Sequence, residues 1–274
     1  MENLLLVIND IALNDKSLEF ACYLARVTQS RLQGLLLTKA QEEVPYTEGA
    51  GSEVTSVASV KKLPGSLREA AQNDIRQFKK ICKKEQIPCV VNCLEGDPLM
   101  DAVSESRFAD LMVLGGAMSF DADDKQYLSP FVWAFLQVAE CPVVIVSDQS
   151  SEIDEIVLTY DGSASSLFAF RRFAHLFPCF KNKQIVVVSA DRFPEIRHER
   201  LIRDQLEEYY PQIEFEVLYT KNFDSKLFDF YRRRSNCFIV MGASGRTNLS
   251  EVVSNDKMPL DREAIGHPVF ISHF

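Results

Sequence analysis

Short apolar runs alternate with longer stretches of helical periodicity along the whole chain. Runs such as Leu111 to Leu114 and Phe238 to Met241 contain no polar position. Such runs suit strands covered on both faces, as in a parallel sheet flanked by helices. The pattern predicts strands near residues 3–9, 32–38, 88–93, 110–115 and 142–147, and again near 155–160, 184–189, 213–219, 237–242 and 268–273. Between two of them, Leu67, Ala70, Ala71, Asp74, Ile75, Phe78 and Ile81 recur at helical spacing and predict an amphipathic surface helix up to Lys84. Asp97 before Pro98 reads as an N-cap with proline in the first turn, and Asp224-Ser225 takes the same place later in the chain. Strands alternating with helices in this way predict an α/β fold built from βαβ units.

The same pattern occurs twice. Leu5-Leu6-Val7-Ile8-Asn9-Asp10 returns as Ile156-Val157-Leu158-Thr159-Tyr160-Asp161, and Asp110-Leu111-Met112-Val113-Leu114-Gly115 returns as Cys237-Phe238-Ile239-Val240-Met241-Gly242. Cys141-Pro142-Val143-Val144-Ile145-Val146 is echoed by His267-Pro268-Val269-Phe270-Ile271-Ser272. Repetition at about half the chain length predicts two copies of one domain, here residues 1–148 and 153–274, joined by the polar link Gln149-Ser150-Ser151-Glu152. Asp10 to Thr38 and Asp161 to Ser189 are both 28 residues apart, whereas Gly115 lies 105 after Asp10 and Gly242 only 81 after Asp161. The surplus of 24 falls between about Ala40 and Ser66, a Pro-, Gly- and Ser-containing stretch that reads as a long loop.

Composition changes this picture little. The chain of 274 residues is 46% hydrophobic and 25% charged, enough for each half to bury its own core. A net charge of −9 opposes a phosphodiester backbone and an acidic membrane surface, so neither nucleic acid nor membrane is expected as a partner. The first apolar run, Leu4 to Ile8, is stopped by Asn9 and Asp10, and no run approaches the ~18 residues of a membrane span. These features predict a cytoplasmic protein. Seven cysteines without a CxxC pair read as reduced, mostly buried thiols, with Cys89 and Cys93 core residues rather than metal ligands.

The strand ending in Asp161-Gly162-Ser163, the strand Asp110-Leu111-Met112-Val113-Leu114-Gly115 and the closing Cys141-Pro142-Val143-Val144-Ile145-Val146, in this order and found twice, resemble the universal stress protein family in tandem form over nearly the whole chain. The resemblance implies two doubly wound domains, each with a five-stranded parallel sheet of the adenine nucleotide alpha-hydrolase-like kind. It also implies that the halves pair within one chain through the edges formed by their last strands. A homodimer and an unidentified protein partner are further options.

Many members of that family bind ATP through a glycine pattern after the fourth strand: Gly, two residues, Gly, nine residues, then Gly with Ser or Thr. Glycines let backbone N–H groups approach phosphate oxygens, and a helix N-terminus adds a favourable dipole. In the second half Gly242 and Gly245 match, but Asn255 and Asp256 stand in the last two places. In the first half only Gly115 and Ser129 remain, with Met118 and Leu128 at the other glycine positions and the acidic Asp121, Asp123 and Asp124 nearby. The first copy is therefore expected to be closed to ATP. The family also implies that Asp161 and Met241 lie against a nucleoside, although Asp161-Gly162-Ser163 reads equally as a turn capping the next helix. In the first half Ile11 and Ala12 replace that Gly-Ser. The candidate ligand residues are thus Asp161, Met241, Gly242 and Gly245.

Other chemistry is weaker. Gly242-Ala243-Ser244-Gly245 lacks the glycine that a serine nucleophile elbow needs two residues after the serine, since Arg246 stands there. His175, His198, His267 and His273 show no metal-ligand spacing, and Asp121 to Asp124 lack a calcium-loop pattern. Arg232-Arg233-Arg234 and the lysines at 79, 80, 83 and 84 read as solvated helix ends. The expectation is a universal stress-type protein that acts by binding or signalling, with no catalytic residues and no metal. The first half then serves as structural partner to the second. The alternative is an ATP switch or slow ATPase using magnesium and the second half alone.

Overall fold

The computed structural model describes residues 1–9, 13–40, 65–120, 128–147, 153–191, 193, 195–220, 223–243 and 266–272. The long loop expected between Ala40 and Ser66, the polar link at 149–152 and the acidic run at 121–124 lie outside them, apart from their edges. Contacts divide the chain into two compact units, Met1–Cys141 and Pro142–Phe274.

In the first unit β1 (Asn3–Asn9), β2 (Arg31–Lys39), β3 (Cys89–Gly96) and β4 (Leu111–Gly115) form parallel pairs in the order β3-β2-β1-β4. The register sets Leu6 beside both Gly34 and Val113. β1 and β4 are buried almost throughout, while β3 at the edge mixes exposed, half-buried and buried positions. This is why β1 and β4 read as unbroken apolar runs. The helices are α1 (Asp15–Thr28), α2 (Gly65–Lys84), α3 (Pro98–Ser106) and α4 (Pro130–Val138). Asn14 caps α1 by accepting the Ser17 N–H, and Gln29 ends it in the left-handed conformation. Asp97 accepts the N–H groups of Leu99 and Met100, as its place before Pro98 predicts.

In the second unit β6 (Glu155–Thr159), β7 (Gln184–Asp191), β8 (Ile213–Tyr219), β9 (Cys237–Gly242) and β10 (Val269–Ser272) form parallel pairs in the order β10-β9-β6-β7-β8. A sixth strand, β5 (Val143–Val146), lies antiparallel against β10, with Val144 opposite Phe270. β5 closes the first sequence copy, yet its contacts place it in this unit. The helices are α5 (Ala164–Leu176), α6 (Glu199–Leu206) and α7 (Phe223–Arg232). Because α7 begins at Phe223, Asp224 lies inside its first turn and is not the N-cap that the sequence suggested.

The second unit's core is aromatic. Phe173 on α5 meets Phe238 on β9 and Phe270 on β10, each with ring centroids 5.3 Å apart and nearly perpendicular rings. Phe177 and Phe180 close the cluster. At the amino end of the sheet Arg234 departs from the solvated reading. Its guanidinium lies 2.5 Å from Glu155 and 2.9 Å from Glu216, joining β6 to β8, and it stacks over the Phe230 ring. The seven cysteines form no disulfide; Cys93 is buried and Cys89 half-buried.

His267, just before β10, is hydrogen-bonded through Nε2 to the Tyr231 carbonyl at 3.1 Å. Burial lowers its pKa, opposed by hydrogen bonds to the backbone at Tyr231 and Arg234 and by the Glu155 charge. The unfolded chain therefore takes up a proton near the ordinary 6.5 while the folded chain still resists it. Its contribution is whole above pH about 6.5 and is lost as the pH falls through the lower folded value. Urea midpoints measured from pH 7.5 to 5 are expected to fall toward acid, and to fall less in His267→Gln. Equal slopes in the two proteins would remove His267 from the account.

Candidate functional site

In a doubly wound sheet ligands gather at the carboxyl ends of the strands, where the strand order reverses. That point lies between β6 and β9 in the second unit and between β1 and β4 in the first. Asp161 follows β6 and Met241-Gly242 ends β9, with Leu158 beside Val240 in the register. The structure thus brings Asp161, Met241 and Gly242 to one end of adjacent strands. Gly245 lies outside the described residues, as do Asn255 and Asp256.

The second unit's groups are engaged by the fold. Asp161 Oδ1 accepts the Ser163 N–H at 2.9 Å, and Gly162 between them has φ +83°. Glycine takes this left-handed conformation without the steric cost that a Cβ brings. Ser163 then caps α5 by accepting the Ser166 N–H, and the Ser166 hydroxyl donates back to the Ser163 carbonyl. Met241 is buried in the strand. Gly242 faces the first turn of α5: a Cβ there would lie 2.5 Å from Ser165 Oγ and 2.6 Å from its carbonyl carbon. Beside Asp161, the Tyr160 phenol is pushed up first by burial and then by the neighbouring carboxylate.

The first unit differs. At the ends of β1 and β4, against the start of α1, lies a cavity of about 190 Å³. Met118, which stands where the glycine pattern would place a glycine, is part of its wall and leaves space beside it; Leu128 is buried and is not among the lining residues. Ser129 is the N-cap of α4: it accepts the Val132 N–H, and its hydroxyl donates to the Met118 carbonyl. The one serine left from the glycine pattern is therefore occupied by helix capping. Asn9 Nδ2 donates to the Ser119 carbonyl at 2.8 Å and ties the end of β1 to the segment after β4. Ser17 is buried on the cavity wall, and its Oγ has no hydrogen-bond partner. Sequence reasoning missed Ser17 because its spacing from Asn14 marks only the first turn of a helix, and it missed Ser165 for the same reason.

Among the described residues no group of three or more His, Cys, Asp or Glu is placed to hold a metal ion. No described helix is long and apolar enough to cross a membrane.

No protein-family model and no curated protein sequence matches the chain. Solved structures do. A universal stress protein from Archaeoglobus fulgidus DSM 4304 superposes with a TM-score of 0.64 at 14% identity, covering 98% of each chain. A functionally unknown protein from Pseudomonas aeruginosa PAO1 gives 0.59 at 18% identity, covering 99% of this chain and 92% of its own. Over nearly its whole length, the chain has the α/β fold seen in a universal stress protein structure.

Proposed function

We propose that this chain is a universal stress-type protein that acts by binding or signalling and turns nothing over. The observation that supports this most is the commitment of the second unit's polar groups. Asp161 holds the turn into α5 and Gly242 receives that helix, so the residues at the strand ends build a scaffold and not an acid–base pair. The first copy supplies β5 to the sheet that carries β9 and β10, which is the structural role we assign to it. The whole chain's net charge of −9 suits a cytoplasmic protein whose partner is a protein or a small ligand and not a nucleic acid.

The second reading is an ATP-dependent switch using magnesium and the second unit alone, favoured by Gly242 and Gly245 at the first two positions of the glycine pattern. Calorimetric titration with magnesium ATP separates the two. The binding reading expects no saturable heat at millimolar ATP. Saturable heat abolished by Gly245→Val would replace it with the switch.

A further inference from the structure

We propose that Cys22, Cys82 and Cys89 form an oxidisable site in the first unit, where hydrogen peroxide or an organic hydroperoxide acts on Cys89 and a disulfide then closes between Cys89 and Cys82. Cys89 opens β3, beside Leu32 near the start of β2. The thiols therefore lie toward the amino ends of these strands, away from the carboxyl ends described above, and their chemistry stands whichever way those ends are read.

Helix and strand spacing bring Cys82 and Cys89 together. A Cβ on Gly34 of β2 would lie 3.3 Å from the Phe78 ring of α2 and 3.4 Å from Val91 Cγ2 of β3, so Phe78 and Val91 meet on the same face of the sheet. Cys89 stands two residues before Val91 and shares its face, and Cys82 stands four residues after Phe78 and shares its side of the helix. Between them the chain reverses: Gln86 has φ +57°, and the Ile87 N–H bonds back to the Cys82 carbonyl at 2.8 Å. Helix and strand thus run in opposite senses. Four helical residues rise about 6 Å and two strand residues about 6.6 Å, so the step from Phe78 to Cys82 matches the step from Val91 to Cys89.

Cys22 reaches the same place from α1. Arg26 and Glu85 pair at 2.9 Å across α1 and α2. Cys22 lies one turn before Arg26 and Cys82 three residues before Glu85, both turned inward with 4% and 0% exposure. The Cys22 thiol is held below its ordinary pKa first by a hydrogen bond from Cys82. Cys82 is held above its own by that bond, then by burial, with a further bond to Cys89. Cys82 therefore lies against both of the other thiols.

Access selects the first sulfur. Cys22 and Cys82 are buried, whereas Cys89 is half-buried on the edge strand. The Cys89 sulfur takes one oxygen from the peroxide as the O–O bond breaks, giving a sulfenic acid and water or an alcohol. The Cys82 sulfur attacks the Cys89 sulfur, and hydroxide leaves with the Cys82 proton as water. The Cys22 thiolate then attacks Cys82, which moves the disulfide inward and releases the Cys89 thiolate. Two thiols give up two electrons, and the peroxide takes both.

The test uses the full chain carrying Cys179→Ser, which removes the exposed thiol. The protein is treated with hydrogen peroxide, quenched with an alkylating reagent and mapped by peptide mass spectrometry without reduction. A disulfide joining Cys82 to Cys89, in part or wholly passed on to Cys22, is expected, and dithiothreitol is expected to reverse it. With Cys22→Ser added, all of it is expected between Cys82 and Cys89. With Cys82→Ser, no disulfide is expected and Cys89 accumulates as a sulfenic acid that dimedone captures. Cys89→Ser is expected to slow oxidation of the other two thiols about tenfold or more, since reaching them then requires local opening. Should a serine at either buried position fail to give native circular dichroism, the map of the parent chain and Cys89→Ser, at a half-buried position, still decide. The proposal is overturned by the absence of a disulfide among the three, by Cys89 paired with any sulfur other than Cys82, or by an undiminished rate in Cys89→Ser. A rate that climbs steeply with urea below the unfolding transition also overturns it, since the thiols would then react only in the opened chain.

Discussion

Gly242→Ala is expected to destabilise the second unit by about 3 kcal/mol, at the upper end of what overpacking costs. The added Cβ would lie 2.5 Å from Ser165 Oγ, 2.6 Å from the Ser165 carbonyl carbon and 2.8 Å from its oxygen. A rotamer change could move Oγ aside, but the other two atoms are backbone in the first turn of α5. To make room the helix itself must shift, and with it the turn that Asp161 and Gly162 form. Gly115→Ala in the first unit is the control. Its nearest neighbour is Ser17 Oγ at 3.1 Å, the end of a side chain that can rotate, and its expected cost is below about 1 kcal/mol. Hydrogen exchange resolved by peptide checks both, with protection of α5 and β9 falling only in Gly242→Ala. Equal and small effects of the two substitutions would mean that α5 does not press on β9 as described.

This contrast also shows why the sequence carried the fold further than the site. Strands such as Asn3–Asn9 and Cys237–Gly242 were legible because a central parallel strand is apolar at nearly every position, and because each was seen twice. Asp97 was legible because capping is a local interaction between residues two and three apart. What the sequence could not show depends on contacts between distant segments. Gly242 and Ser165 meet only through the packing of α5 on β9, and Gly242 was read as half of a phosphate pattern although its described contact is with a helix. Arg234 stands in a run of three arginines that suggests a solvated helix end, and only its meeting with Glu155 and Glu216 makes it a link between strands. Asp161 had two readings of equal standing, and the bond from the Ser163 N–H shows the turn. The cavity beside Met118 was hidden because a bulky residue at a glycine position suggests a filled site, whereas Met118 forms part of a wall.

Phe173→Ala is expected to cost about 4 kcal/mol. Phe173 is fully buried, and its ring lies 4.8 Å from Phe177, 5.3 Å from Phe238, 5.3 Å from Phe270 and 6.2 Å from Phe180. Two contributions add. Removing the ring forfeits its transfer from water and leaves a void that aromatic neighbours, held by strands on one side and a helix on the other, cannot collapse to fill. The edge-to-face pairs with Phe238 and Phe270 are lost as well, each worth about 0.5–1.5 kcal/mol beyond area alone. Phe173→Leu separates them, since it keeps most of the volume and loses the ring geometry, with an expected cost of about 1.5 kcal/mol. The consequence reaches the strand ends, because Phe173 packs α5 onto both β9 and β10. With that grip loosened, the first turn of α5 no longer holds Ser165 against Gly242, and protection at Ser163 to Ser166 should fall with that of the core. Chemical denaturation followed by circular dichroism gives the energies, and hydrogen exchange of the α5 amides gives the coupling. A loss below about 2 kcal/mol for Phe173→Ala, or a core that loosens while the start of α5 keeps its protection, would show that the aromatic cluster and the strand-end turn are separate structures.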